Sequence, residues 1–172
     1  MIRSIVSRDR RFVEIYPYTT RPLRAGEGGK IHVSKAEFSY IEEKGGFAAV
    51  NNMFGNLYGT PLQPILKALS INQLPILEYT ITNIDRLRKA LPRSKLTCAY
   101  ILPESIDLVI TRVKAENRDH PEERIAEVRT ELKNVESGSF DSLIDFKIIN
   151  EEGNLNGTAE RVKTSFIRLI NK

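Results

Sequence analysis

Hydrophobic positions along this chain switch repeatedly between short continuous runs and helical spacing. Ile2, Ile5 and Val6 fall at helical spacing and predict the last turns of a helix. Phe12 to Tyr16 reads as a strand, and Lys30 to Val33 as a short one after Gly28-Gly29. Ser34 precedes Glu37 by three, the capping-box spacing, so a helix carrying Phe38 and Ile41 should run to Gly45-Gly46. Phe47 to Asn51 predicts a strand, followed by a turn and the segment Asn56 to Thr60. Pro61 to Leu69 predicts a helix with Leu62, Ile65, Leu66 and Leu69 on one face. Ile76 to Thr80 reads as a buried strand. The next helix, from about Asn83 to Leu91, turns Ile84, Leu87 and Leu91 inward and Arg86, Arg88 and Lys89 outward. Leu96 to Leu102 is a second buried strand, stopped by Pro103. A helix from Ser105 through Val113 gives way to the charged stretch Lys114 to Glu123, which reads as a solvated loop or mobile flap. Arg124 to Val135 is again helical, Phe146 to Ile149 is a last strand, and Ala159 to Leu169 a last amphipathic helix. Strands alternating with helices predict an α/β domain around a largely parallel sheet, with residues 1–172 as one domain.

Composition adds limits. With 172 residues and 41% hydrophobic content, the chain can bury a substantial core. A net charge of +4 suits an anionic ligand. It forms no concentrated stripe with interleaved aromatics, and nucleic acid is not the expected partner. The densest basic cluster, Arg8-Asp9-Arg10-Arg11, is short, carries an acid and reads as a solvated turn. The single cysteine, Cys98, sits in an apolar run, so a reducing compartment and an inert thiol are expected. His32 and His120 lack metal-ligand spacing. No apolar stretch reaches the ~18 residues that span a bilayer. Arg3, Arg8 and Arg10 interrupt any secretion signal, and a cytoplasmic location is expected.

The stretch with the most chemistry is Tyr18-Thr19-Thr20-Arg21-Pro22-Leu23-Arg24-Ala25-Gly26-Glu27. Guanidinium groups are rigid forks that bind phosphate in two-pronged fashion, and hydroxyls add hydrogen bonds. Two arginines three residues apart behind a hydroxyl pair, at the mouth of a strand, form a candidate anion site.

That stretch opens a series of segments through which the chain resembles the guanylate kinase family. The others are Val33-Ser34 with Phe38 and Ile41, then Gly46-Phe47, Gly55 to Thr60, Ile76-Leu77-Glu78 and Leu102 to Ser105. They continue through Glu131-Leu132, Glu136-Ser137-Gly138, Phe140-Asp141 and Ile148-Ile149-Asn150. The resemblance implies phosphoryl transfer from Mg-ATP to GMP on an α/β fold. That fold has a core, an acceptor lobe at about 18–80 and a short lid at about 112–124. It implies that Arg21 and Arg24 grip the GMP phosphate and that Tyr58 donates to it. Thr60 would lie near the base, with Glu27 in the same lobe. In the lid, Arg124 would stabilise the transferred phosphoryl, flanked by Arg112 and Arg118, and that lid is shorter than the family pattern.

The same resemblance exposes departures. The family's first strand and its Gly-rich phosphate loop, G-x-x-x-x-G-K-[ST], would precede Met1 and are absent from these residues. Gly26-Glu27-Gly28-Gly29-Lys30 is too short to replace the loop and ends in Ile31 rather than Ser or Thr. Pro17, Ala49 and Thr80 stand where the family has a serine, a glutamate and an aspartate around guanine. Losing the carboxylate at Ala49 removes a charge-assisted pair worth roughly 1.5–3 kcal/mol. Lys30 replaces a phosphate-binding tyrosine with an ammonium that can still neutralise an anion.

Two readings follow. In the first, the chain is an impaired or inactive binding module with an anion pocket. It takes GMP or another phosphorylated or acidic ligand, and no cofactor is assigned to it. In the second, the chain is part of an active guanylate kinase whose phosphate loop lies upstream or on another polypeptide, and Mg-ATP then belongs to it. On either reading, without the missing central strand Ile76 to Thr80 and Leu96 to Leu102 have open edges, which invites a protein partner or self-association there.

Overall fold

The computed structural model describes residues 1–91, 96–115 and 120–170. The chain divides into two compact units, Ile2–Lys95 and Leu96–Lys172, with Met1 grouped with the second.

The first unit opens with α1 (Ile2–Arg8), which packs its buried Ile5 against β1 (Phe12–Glu14). Two very short strands follow, β2 (Tyr18–Thr19) and β3 (Ile31–His32). The expected capping box is present at α2 (Lys35–Glu43). The Ser34 hydroxyl accepts from Glu37 N–H, and the Ser34 N–H donates to the Glu37 carboxylate. Next come β4 (Phe47–Met53), β5 (Asn56–Pro61) and α3 (Leu62–Ser70). On α3 the buried stripe is Ile65 and Ala68, while Leu66 is 41% exposed. Leu66 lies ~100° round the helix from Ile65, at the margin of the apolar arc rather than within it.

β6 (Leu74–Ile76) is shorter and earlier than the run Ile76 to Thr80 suggests. Its partner decides this, because β1 offers three residues and pairs them in parallel as Phe12 with Leu74, Val13 with Pro75 and Glu14 with Ile76. A single 3-10 turn, Ile81–Asn83, leads into α4 (Ile84–Ala90), whose Ile84 and Leu87 are buried as predicted, with Leu91 after them. Arg86 is not simply outward, since its guanidinium donates to the Val50 carbonyl at 2.7 Å and ties α4 to β4.

Besides the parallel pair β1-β6, this unit holds a four-stranded sheet in the order β3-β2-β5-β4. Only β2 and β3 run parallel in it, whereas β5 is antiparallel to both its neighbours. The largest sheet is thus mainly antiparallel, where the alternation of elements predicts a parallel one. β4 and β5 are joined by the tight turn Phe54-Gly55, which reverses the chain without a crossover helix.

In the second unit β7 (Ala99–Pro103) pairs in parallel with β8 (Phe146–Asn150). Between them lie α5 (Ile106–Ala115) and α6 (Pro121–Glu136), which pack together. Helix therefore occupies both ends of the charged stretch read as a loop, Lys114-Ala115 and Pro121 to Glu123, where Pro121 fits the first helical turn. α7 (Leu155–Ile170) begins earlier than Ala159 and covers β8, with Phe166 edge-on to Phe146 at 5.0 Å. Among the described residues no helix is long and apolar enough to cross a membrane.

Candidate functional site

The hydroxyl pair ahead of Arg21 does structural work. Thr19 is fully buried, and its hydroxyl accepts from the Arg21 N–H at 3.1 Å, which bends the chain as it leaves β2. Thr20 is clamped to β5 twice. Its N–H donates to the Leu57 carbonyl at 3.1 Å, and its hydroxyl accepts from the Leu57 N–H at 3.0 Å. Because Thr19 pairs with Tyr58 in the β2-β5 ladder, Arg21 emerges beside the Tyr58 ring.

The guanidinium of Arg21 is then spent on three partners. Its Nε donates to the Tyr58 hydroxyl at 3.3 Å and its Nη1 to the Pro22 carbonyl at 2.8 Å. Its Nη2 reaches both carboxylate oxygens of Glu27, at 2.5 and 2.7 Å. Glu27 is carried there by a turn, Arg24 to Glu27, closed by a 3.0 Å backbone bond and with Gly26 at φ +73°. Any residue with a Cβ would be strained at that φ. The same carboxylate accepts from the Arg24 N–H at 3.1 Å and from Lys30 Nζ at 3.2 Å. Arg21 and Glu27 expose only 14% and 17% of their side chains, so this ion pair is substantially shielded.

Four of the residues singled out from the sequence thus meet: Arg21, Glu27, Lys30 and Tyr58. Arg24 contributes through its backbone N–H and is an exposed residue. Thr60 is buried on β5 opposite Ala49 and makes none of these bonds. Arg124 lies in the second unit on α6, and Arg118 falls outside the described residues. In that unit Tyr100 donates to Glu131 at 2.6 Å, and Arg112 pairs with Glu152. Burial first, then the Glu131 carboxylate, pushes the Tyr100 hydroxyl above its ordinary value.

Sequence reasoning missed Asn51 and Tyr79. Asn51 is 6% exposed on β4, opposite Tyr58, and among the described residues neither its side-chain oxygen nor the buried Tyr79 hydroxyl has a hydrogen-bond partner. The signal was the strand period, which puts Asn51 on the same inward face as Ala49.

The Arg21 hydrogen bonds hold the Glu27 carboxyl down at about 2, helped by the Arg24 N–H and Lys30 and opposed by burial. A carboxyl depressed by folding contributes stability above its unfolded value near 4.5, and that contribution is lost as pH falls through about 2. Solvent screening at a partly exposed pair trims the contribution to ~1–2 kcal/mol. Denaturant titrations between pH 5 and pH 2 should therefore show a loss in the native chain that Glu27→Gln lacks. Equal slopes in the two chains would contradict this.

The cluster gathers a guanidinium, an ammonium and a backbone N–H around one carboxylate, with the Tyr58 hydroxyl accepting from the guanidinium; donors of this kind suit an oxyanion. The family model for guanylate kinase matches residues 3–166. The chain is 28% identical over 160 residues to the guanylate kinase of Neisseria gonorrhoeae, covering 90% of this chain and 71% of that one. It is 32% identical over 152 residues to that of Chlorobium luteolum, covering 83% and 75%, and 30% identical over 141 residues to that of Neisseria meningitidis serogroup A, covering 78% and 65%. It thus spans between 65% and 75% of the length of these relatives. Its backbone is similar to the crystal structure of guanylate kinase from Anaplasma phagocytophilum, with a TM-score of 0.73 at 20% identity over 92% of this chain and 76% of that one. The likeness in backbone speaks for the fold. The match from residue 3 to residue 166 takes in the anion cluster, all three parallel strand pairs and the helices between them, and on that breadth the chain belongs to the guanylate kinase family.

Proposed function

We propose that this chain supplies the acceptor side of a guanylate kinase, which transfers a phosphoryl group from ATP to GMP to give ADP and GDP. The Gly-rich phosphate loop would come from sequence upstream or from another polypeptide. The observation that carries the reading is the Arg21, Lys30 and Tyr58 cluster within a chain matched by the family model over nearly its whole length. Phosphoryl transfer depends on positioning and charge neutralisation more than on covalent chemistry. Arg21 would orient the GMP phosphate through its fork, Lys30 would offset its charge, and the Tyr58 hydroxyl would fix its rotation. Among the described residues no three His, Cys, Asp or Glu side chains group as a metal cage. Mg²⁺ would instead arrive with the ATP phosphates, as it does where it keeps most of its water ligands. The lid roles of Arg124 and Arg118 belong to the same proposal.

A second reading, an anion-binding module without transfer, draws support from the three changed positions. Ala49 is buried and carries no carboxylate, Pro17 uses its carbonyl to hold β3, and the Thr80 hydroxyl donates to the Met53 sulfur. One experiment separates the two. GMP binding is measured by calorimetry on the chain alone. GDP formation from Mg-ATP and GMP is then followed with and without an added polypeptide bearing the strand and Gly-rich loop. Binding together with loop-dependent GDP formation supports the kinase. Binding with no GDP under either condition supports the module. No binding of GMP overturns the kinase, and no binding of inorganic phosphate in the same calorimeter overturns the module as well.

A further inference from the structure

We propose that Glu27 is an internal anion that occupies the phosphate seat in the free protein and is displaced from Arg21 when a phosphomonoester binds. This deepens the reading of Arg21 as a phosphate ligand and rests on it.

A guanidinium has five N–H groups in a fixed fork. In Arg21 the single Nε–H goes to Tyr58, one Nη1–H goes to the Pro22 carbonyl, and Nη2 serves both oxygens of Glu27. One N–H on Nη1 makes none of these bonds, and Nη2 faces the Glu27 carboxylate. Bidentate capture of a phosphate needs two parallel N–H groups on one edge of the fork. Each such edge includes a hydrogen now committed, and every edge involving Nη2 is held by Glu27. A phosphate can therefore take a forked grip on Nη2 only if Glu27 leaves it.

Charge leads to the same place. Arg21, Lys30 and Glu27 sum to +1 in a region where their side chains are 14%, 26% and 17% exposed. A phosphomonoester dianion added beside a retained carboxylate would crowd three negative charges against two cations. Exchange of one anion for the other avoids that repulsion. Glu27 also has somewhere to go without leaving its turn, since it already accepts from the Arg24 N–H and from Lys30. Arg24 is exposed, and its guanidinium makes no hydrogen bond or ion pair among the described residues. The depressed Glu27 carboxyl fits this picture, because a seat able to hold a carboxylate so firmly is built for an anion. The consequence is selectivity: an anion must hold two forked contacts, as a phosphomonoester can, to unseat the resident one.

The test uses the full chain, titrated calorimetrically with GMP, inorganic phosphate and guanosine. Glu27→Gln keeps the size of the side chain and removes its charge. It should bind GMP and phosphate about tenfold more tightly than the native chain, a change that corresponds to ~1.4 kcal/mol, and guanosine no differently. Glu43→Gln, which makes the same change of net charge on the exposed end of α2, should shift phosphate affinity by less than about twofold, as expected of screened surface charge. If Arg21→Ala abolishes GMP binding while Glu27→Gln binds equally or more weakly, the displacement idea falls and the phosphate-ligand reading stands. If the native chain and Glu27→Gln both fail to bind, both fall. Should Glu27→Gln not fold, the native protein still decides. The Glu27 side-chain carboxyl ¹³C signal must move on saturation with GMP, and an unchanged signal overturns the proposal.

Discussion

Replacing Arg21 by alanine should weaken GMP binding by at least about a hundredfold, the loss of a forked, charge-assisted contact of ~3 kcal/mol. The same change should lower the stability of the first unit by ~1–3 kcal/mol, because removing one member of a shielded ion pair strands the other. Both effects have one origin. Arg21 is the hub that joins the Tyr58 hydroxyl on β5, the Pro22 carbonyl and the Glu27 carboxylate six residues on. Without it Glu27 retains Lys30 and the Arg24 N–H, while Tyr58 loses its tie to the turn. Arg21→Lys sharpens the prediction, since a lysine restores the charge as a single point without the fork. It should recover most of the stability and bind GMP roughly tenfold more weakly than the native chain. Calorimetric titration paired with urea denaturation separates the two losses. An Arg21→Ala chain that binds GMP as the native one does would remove this cluster from the acceptor site altogether.

Much of this region is legible in the sequence because its determinants are local. Ser34 and Glu37 announce the start of α2 through two reciprocal bonds within one helical turn. Ile84, Leu87 and Leu91 mark the buried face of α4 through spacing alone. The Arg21, Arg24 and Glu27 grouping is also local, since a four-residue turn closes it. What could not be read depends on partners distant in the chain. β2 has two residues, too few to show any period, and it exists because β5 and β3 flank it. β6 stops at Ile76 because its ladder with β1 ends there, although the apolar run continues. Asn51 looks like an ordinary strand residue until the sheet buries its amide with no partner for the oxygen among the described residues. Arg86 looks like a solvated charge until α4 is laid over the Val50 carbonyl.

Gly59 is the position where a single methyl group should do the most harm to the fold around the cluster. A Cβ built there would lie 2.6–2.7 Å from three atoms of the Phe47 ring, well inside contact distance. That ring has little room to retreat. It packs on Phe38, which is fully buried, at 4.6 Å between centroids, and on Tyr18 at 5.7 Å. The backbone is equally fixed, because Gly59 pairs with Tyr18 on one side and Val50 on the other. Overpacking of a tight core site costs ~1–3 kcal/mol and more when the neighbours cannot move. Gly59→Ala should therefore destabilise the protein by ~3 kcal/mol and lower its melting temperature by roughly 5–10 °C. Gly26→Ala provides the contrast. Its Cβ would meet nothing within 4 Å, so only the positive φ is penalised and the loss should stay near ~1 kcal/mol. If the ring is the obstacle, trimming it should help, and Phe47→Leu combined with Gly59→Ala should be more stable than the two single losses sum to. Additive losses in that double-mutant cycle would show that Gly59 is needed for another reason. The neighbours of Gly59 on β5 are Tyr58 and Thr60, so a displaced strand should also weaken GMP binding, through the Tyr58 hydroxyl that receives Arg21.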